Sequence, residues 1–264
     1  MKANLSFYII LLFSFLYSSS LIANSTYFVT AQNGLLIREN PTISSKAIGK
    51  FEFGTRISFS NETEKYADTL LIEGEQKIGY WLKVFNYTLS YRPTTEQREG
   101  FVFDAFLEDK QTFVKRIEEE FLKFNQFENY QLDTENDIFC LKGDFFGDKI
   151  TDTAILLRCK NLNKEEYYDK NIVILNYVAT TQEPKITFLS DEDGYEWVGV
   201  FIKINAGTAL WSNYEDDDGR SFEEVPKKDK VFLNYDAFLL HAAEACGGGF
   251  VFWKNNKFNW LQQE

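Results

Sequence analysis

Apolar positions in the first hundred residues come in short, closely punctuated runs. Leu35-Leu36-Ile37 lead to Arg38, and a turn follows at Asn40-Pro41 and the hydroxyl run Thr42 to Ser45. Ala47-Ile48 end at Gly49, Phe51 and Phe53 alternate with Glu52, and Gly54-Thr55 turn the chain into Arg56-Ile57-Ser58-Phe59. Asn24 to Thr30 carries a further strand ahead of these. Strands this short, separated by Pro and Gly turns, suit a small β-barrel.

The period changes at Lys110. Phe113, Val114, Ile117, Phe121 and Phe124 fall on one helical face, with Lys115, Arg116, Glu118, Glu119 and Lys123 elsewhere, which predicts a helix over 110–127. Its apolar face is expected to pack on the second domain. From Asp137 the runs are strand-like again: Ile138 to Leu141, Thr153 to Cys159, Ile172 to Val178, Ile186 to Leu189 and Trp197 to Ile204. Ala209 to Trp211, Val231 to Tyr235, Phe238 to Leu240, Gly249 to Trp253 and Phe258 to Leu261 complete the series, with Asn255-Asn256 as a hairpin turn. The fold class expected is mainly β: a barrel over 24–109, a linking helix over 110–130, and an antiparallel β-rich (α+β) domain over 131–264.

The 264 residues suffice for one large or two ordinary domains, and 26 Phe supply ample core material. Met1-Lys2, the apolar run Leu5 to Tyr17 and the small residue Ala23 form the pattern of a signal peptide over 1–23. That places the mature chain outside the cytoplasm, periplasmic or extracellular, with no membrane span left after cleavage. Its loss leaves 27 basic against 40 acidic residues, a charge near −13. Such a balance argues against binding nucleic acid or anionic membrane by broad charge, and permits a basic partner.

Three blocks in order carry a family resemblance. Gly34-Leu35, Ile37-Arg38, Pro41, Ser44-Ser45, Ile48-Gly49 and Gly54-Thr55 form the first. Gly79-Tyr80-Trp81-Leu82-Lys83-Val84 form the second, and Gly100-Phe101-Val102-Phe103-Asp104-Ala105-Phe106-Leu107 the third. Together, over about 26–108, they resemble a bacterial SH3-like (SH3b) domain, with longer connections at Glu62 to Lys77 and Asn86 to Glu99. The resemblance implies a small β-barrel that binds cell-wall peptides or protein surfaces and carries no catalytic residue. Tyr80, Trp81, Phe101 and Phe103 are the candidate ligand-binding residues, since barrel aromatics accept peptides. Strand alternation puts Tyr80 with Leu82 on one side and Trp81 with Lys83 on the other, so one set is core.

The turn Gly143 to Asp152 resembles the GDFNGDGKxDxA loop of FG-GAP-like exported β proteins. Asp144, Asp148 and Asp152 stand where that loop places carboxylates for calcium. Phe146 replaces an oxygen ligand and Lys149 replaces a glycine, so the turn is expected to hold its shape without an ion; no cofactor is expected. Asp191-Glu192-Asp193-Gly194 and Asp216-Asp217-Asp218-Gly219 read as solvated acidic turns.

Cysteine numbers three: Cys140, Cys159 and Cys246. With the turn centred near Lys149, Cys140 and Cys159 lie opposite each other across a hairpin, and a bridge there or three reduced thiols are both open. His241 is the single histidine, which excludes a histidine metal cluster, and no GxSxG elbow accompanies it. Cys246 with His241 lies on one segment, whereas catalytic Cys–His pairs meet across a fold. Gly247-Gly248-Gly249 lacks the Lys-Ser or Lys-Thr of a phosphate loop. The expected function is therefore non-catalytic binding of a cell-envelope peptide or protein. An acidic inhibitor or immunity-type protein that blocks a basic enzyme is the alternative, and a hydrolase the third.

Overall fold

In the computed structural model, residues 25–60, 63–72, 74–85, 99–121, 123–160, 170–177, 184–189, 195, 197–214, 220–243 and 247–263 are described. The proposed signal peptide, Cys246 and both acidic turns at 191–194 and 216–219 lie wholly or mainly outside them.

The alternating runs of the first part form β1 (Ser25–Val29), β2 (Leu35–Arg38), β3 (Ala47–Phe51), β4 (Arg56–Phe59), β5 (Lys65–Ile72), β6 (Glu75–Phe85), β7 (Glu99–Phe103) and β8 (Leu107–Asp109). They make two antiparallel sheets, ordered β4-β1-β8 and β3-β2-β7-β6-β5, and the described strands do not close into one continuous barrel. The reason the sheets pack is in the alternation. Leu35 and Ile37 of β2, Ile57 and Phe59 of β4, Leu82 and Val84 of β6 and Val102 of β7 point into one shared cluster. Leu36 and Arg38 take the other face of β2.

The second part contains α1 (Lys110–Phe121), then β9 (Tyr130–Leu132), β10 (Cys140–Gly143), β11 (Asp152–Cys159), β12 (Lys170–Asn176), β13 (Lys185–Leu189), β14 (Val198–Ile204), β15 (Ala209–Leu210), β16 (Val231–Phe232), β17 (Ala237–Ala242), β18 (Gly248–Lys254) and β19 (Lys257–Gln263). The helix stops at Phe121, short of the expected Phe127, because Phe124 is already extended (φ −100°, ψ 119°) and opens a separate 3-10 turn, Asn125–Phe127. Strand β11 is paired on one side with β12 and on the other with β9 and β10 end to end; β13 closes the sheet. A second sheet runs β14-β17-β18-β19. The β18–β19 turn uses Asn255 and Asn256 at φ 55° and 59°, the positive dihedrals a two-residue hairpin requires.

Six consecutive residues of β11, Asp152 to Leu157, are buried, so both faces of this sheet are covered. On one face lies α1: Thr153 Oγ1 of β11 and Tyr177 Oη, just past β12, donate to Glu120 Oε1 at 3.1 and 2.8 Å. On the other lies the four-stranded sheet, reached through Phe145 against Phe238 (5.5 Å between ring centres).

The linking helix packs against both parts. Phe28 of β1 stacks on Phe113 of α1 at 4.9 Å, and Phe53, 1% exposed, lies 5.7 Å from the same ring. Both belong to the main cluster of the second part. Lys203 of β14, 9% exposed, bridges to Glu52 at 3.0 Å, Arg56 pairs with Asp137, and the β3–β4 turn sits against the Cys140 carbonyl.

A Cys140–Cys159 bridge fails on register. Gly143 pairs with Asp152 and Cys140 with Ile155, which centres the turn about two residues before Lys149. Cys159 is four residues further along β11, about 13 Å at strand rise, and pairs with Tyr130. Both thiols are free.

Candidate functional site

The 3-10 turn Asp104–Phe106 that follows β7 folds back on β6. Asp104 Oδ1 accepts the Tyr80 backbone N–H at 2.7 Å. A Cβ on Gly79 would stand 2.3 Å from that carboxylate oxygen, so a side chain at this position of the Gly79-Tyr80-Trp81 block would displace Asp104. At Gly100 a Cβ would likewise meet Ile37 Cγ2 at 2.5 Å.

This arrangement builds a cleft on the outer face of the five-stranded sheet. Register places Trp81 opposite Phe103 and Tyr66 opposite Trp81. The Trp81 and Phe103 rings meet at 5.3 Å and, with Leu70, form a small buried cluster of their own, each ring 2% exposed. The indole N–H donates to Asp68 Oδ2 at 2.9 Å, which fixes the ring in place. Phe106 packs against this cluster from the 3-10 turn. The opposite wall is the 31–38 segment with Leu36 and Ile43, and Ile72, Glu75 and Lys77 of the β5–β6 hairpin form the rim. The cleft is open on one side and has a volume of about 570 Å³, within the range of small-ligand pockets.

Of the four expected aromatics, the structure brings Trp81 and Phe103 together as the cleft floor. Phe101 shares their face and packs edge-on against Tyr66 at 5.7 Å. Tyr80 points from the opposite face of β6, 48% exposed, together with Ile78. The eleven-residue β6 is longer than the facing sheet, so its β5-paired half carries residues of inward parity into solvent. Leu36, Arg38, Ile43, Leu70, Ile72 and Phe106 were not foreseen as site residues. The signal available for Leu70 and Ile72 was their period-2 spacing with Tyr66 and Asp68.

The acidic turn is a different kind of place. Asp144 accepts backbone N–H bonds from Gly147 (2.6 Å), Asp148 (3.1 Å) and Lys149 (3.1 Å). Asp148 accepts from the Ile150 N–H, and Asn176 Nδ2 donates to both Asp148 and Asp152. Lys149 is left-handed at φ 66°, the dihedral its Cβ disfavours, and Gly147 is at φ 77°. The carboxylates are turned toward backbone donors and Asn176, and no three acidic, histidine or cysteine groups converge among the described residues. Burial raises the Asp152 carboxyl to about 6, against its hydrogen bonds from Asn176 and Phe145, with the Asp148 and Asp144 charges adding to the rise.

His241 Nδ1 donates to the Ala242 carbonyl at 2.6 Å. Cys140 is buried beneath α1, where desolvation pushes its thiol well above the usual range. Comparison of the chain with protein-family models, curated proteins and solved structures returned no match.

Proposed function

We propose that this is an exported, non-catalytic binding protein whose N-terminal, SH3-like unit recognises an extended peptide of the cell envelope, free or within a protein. The observation that carries the reading is the cleft of about 570 Å³ in which the exposed Leu36 and Ile43 stand over a rigid, buried base of Trp81 and Phe103. Its lining is mainly apolar, the character of the aromatic grooves that take extended or Pro-rich segments. The floor is pre-organised: the indole is hydrogen-bonded to Asp68, and the turn that carries Phe106 is pinned by Asp104. Little ordering remains to oppose binding.

The test is co-sedimentation of the chain from residue 24 onward with isolated cell wall, and tryptophan fluorescence titration with short apolar peptides. Ile43→Glu puts a charge on the exposed rim (46% exposed) without touching the core. It is expected to abolish retention while leaving the melting midpoint in place. Undiminished binding by Ile43→Glu would refute the assignment to this cleft.

A further inference from the structure

The cleft contains a cation, Arg38, that has no carboxylate partner among the described residues. Among its lining residues are two cations, Arg38 and Lys77, and one carboxylate, Glu75, in a chain of formal charge −12. Lys77 Nζ is paired with Glu75 Oε2 at 2.7 Å. Lys50, Arg56 and Lys83 of the same unit also have carboxylate partners. Arg38 has none among the described residues. Its one side-chain hydrogen bond runs from Nη1 to the Ser45 carbonyl at 2.6 Å.

That bond holds the guanidinium in position. Ser45 closes the turn after β2: its Oγ accepts the Asn40 N–H at 2.9 Å, and the Glu39 N–H reaches the Lys46 carbonyl at 3.0 Å. Register puts Arg38 opposite Phe101, and Phe101 shares its face with Phe103 and Trp81. The guanidinium therefore stands on the same outer face as the aromatic floor, with N–H groups to spare. A guanidinium presents donors in a planar fork that matches a carboxylate, and such charge-assisted pairs are among the stronger and more directional contacts.

We infer that the cleft selects an extended apolar peptide bearing a carboxylate, with the apolar side chains against Leu36, Ile43 and Ile72 above the buried Trp81–Phe103 pair and the carboxylate on Arg38. The inference rests on the proposal that this cleft binds a peptide. It also runs against the long-range field: an acidic chain repels acidic ligands, so a preference for a carboxylate has to come from a local cation.

The experiment uses the chain from residue 24 onward and four acetylated probes, titrated by tryptophan fluorescence at low and at 0.5 M salt. These are Leu-Pro-Pro-Leu as the C-terminal amide, the same peptide as the free acid, the amide extended by one Glu, and the amide extended by one Lys. A carboxylate received by Arg38 makes the free acid or the Glu peptide bind about tenfold tighter than the amide at low salt. Whichever of the two gains identifies a terminal or a side-chain carboxylate as the source. Arg38→Gln is expected to bring that ratio close to one, and Arg38→Lys to leave an intermediate ratio. Circular dichroism checks that both variants fold. Equal binding of acid, Glu peptide and amide, or a preference for the Lys peptide, overturns the inference and leaves the cleft reading standing. A ratio that survives in folded Arg38→Gln overturns the role of Arg38. Failure of every probe to bind removes the cleft reading and the inference with it.

Discussion

Gly54→Ala tests whether the N-terminal sheets and the second part are one cooperative body. Gly54 sits in the β3–β4 turn at φ +80°, and a Cβ there would lie 2.1 Å from the Cys140 carbonyl oxygen. That oxygen belongs to β10, which is locked in a sheet, so the neighbour cannot give. The turn would have to retreat by about 1.3 Å to reach an ordinary contact of 3.4 Å. Phe53 is attached to this turn; its ring is 5.7 Å from Phe113 and carries Lys142 Nζ at 5.0 Å. Holding alanine left-handed costs about 1–2 kcal/mol. Losing about half the burial of one Phe adds about 1–2 kcal/mol. A total of about 2–4 kcal/mol lowers the melting midpoint by roughly 5–15 °C for a chain of this size.

Gly207→Ala is the control: φ is +83° and nothing lies within 4 Å of a new Cβ, so it contains the dihedral term alone. Thermal unfolding followed by tryptophan fluorescence and by far-ultraviolet circular dichroism should show one transition in the wild type. Gly54→Ala should shift that whole transition further than Gly207→Ala does. Equal shifts for the two variants, or two separate transitions of which one moves, would refute the shared core. By the same logic residues 26–108 expressed alone would expose Phe28 and Phe53, which are buried in the main cluster of the second part.

Other expectations concern the acidic turn, the cysteines and the cleft. Asp152 titrates in the folded protein near 6, above its ordinary value of 3.8, so between about pH 4 and 6 the folded state binds the proton more tightly than the unfolded one. Its contribution to stability therefore falls as pH rises through that window. Asp148→Asn removes a like charge and should lower the Asp152 midpoint in a carboxyl-carbon NMR titration; an unmoved midpoint would contradict the coupling. Asp144→Ala removes the acceptor of three backbone N–H groups, two of them exposed to water, and should cost about 1–2 kcal/mol, equally in calcium and in chelator; a calcium-dependent rise of the wild-type midpoint would show that this turn holds an ion. In native alkylation Cys159, half-buried, should react while Cys140 does not until the chain unfolds; a Cys140–Cys159 linked peptide in a non-reducing map would overturn the strand register. Gly79→Ala should weaken peptide binding by displacing Asp104 and with it the turn that carries Phe106, read by fluorescence titration alongside the melting midpoint.

The local chemistry of the chain decided much of this fold. Period-2 spacing at Leu35 and Ile37, and at Ile57 and Phe59, marks strands with one buried face. The 3.6-residue spacing of Phe113, Ile117 and Phe121 marks the helix face that is wholly buried. Asn255-Asn256 set their hairpin turn because Asn tolerates positive φ. These features depend on neighbours a few residues apart, and the sequence contains that information directly.

What a buried face packs against depends on residues far away in the chain, and there the tertiary structure decided. Periodicity marks Phe28 and Phe53 as apolar strand positions, yet only the assembled molecule shows them stacked on the helix of the second part and not within their own sheets. The β10–β11 hairpin was legible and its register was not: a shift of two residues in the turn separates Cys140 from Cys159, and that shift is set by Asp144 gathering the N–H groups of Gly147, Asp148 and Lys149. The cleft joins residues from the 31–43 segment, the β5–β6 hairpin and the end of β7. Trp81 and Phe103 were visible as aromatics in a strand, but alternation alone assigns two faces and leaves open which is core. Here Trp81 and Leu82 are both buried, because the turn carrying Phe106 folds over the outer face, while the pairing of β2 with β7 places Arg38 on that same face.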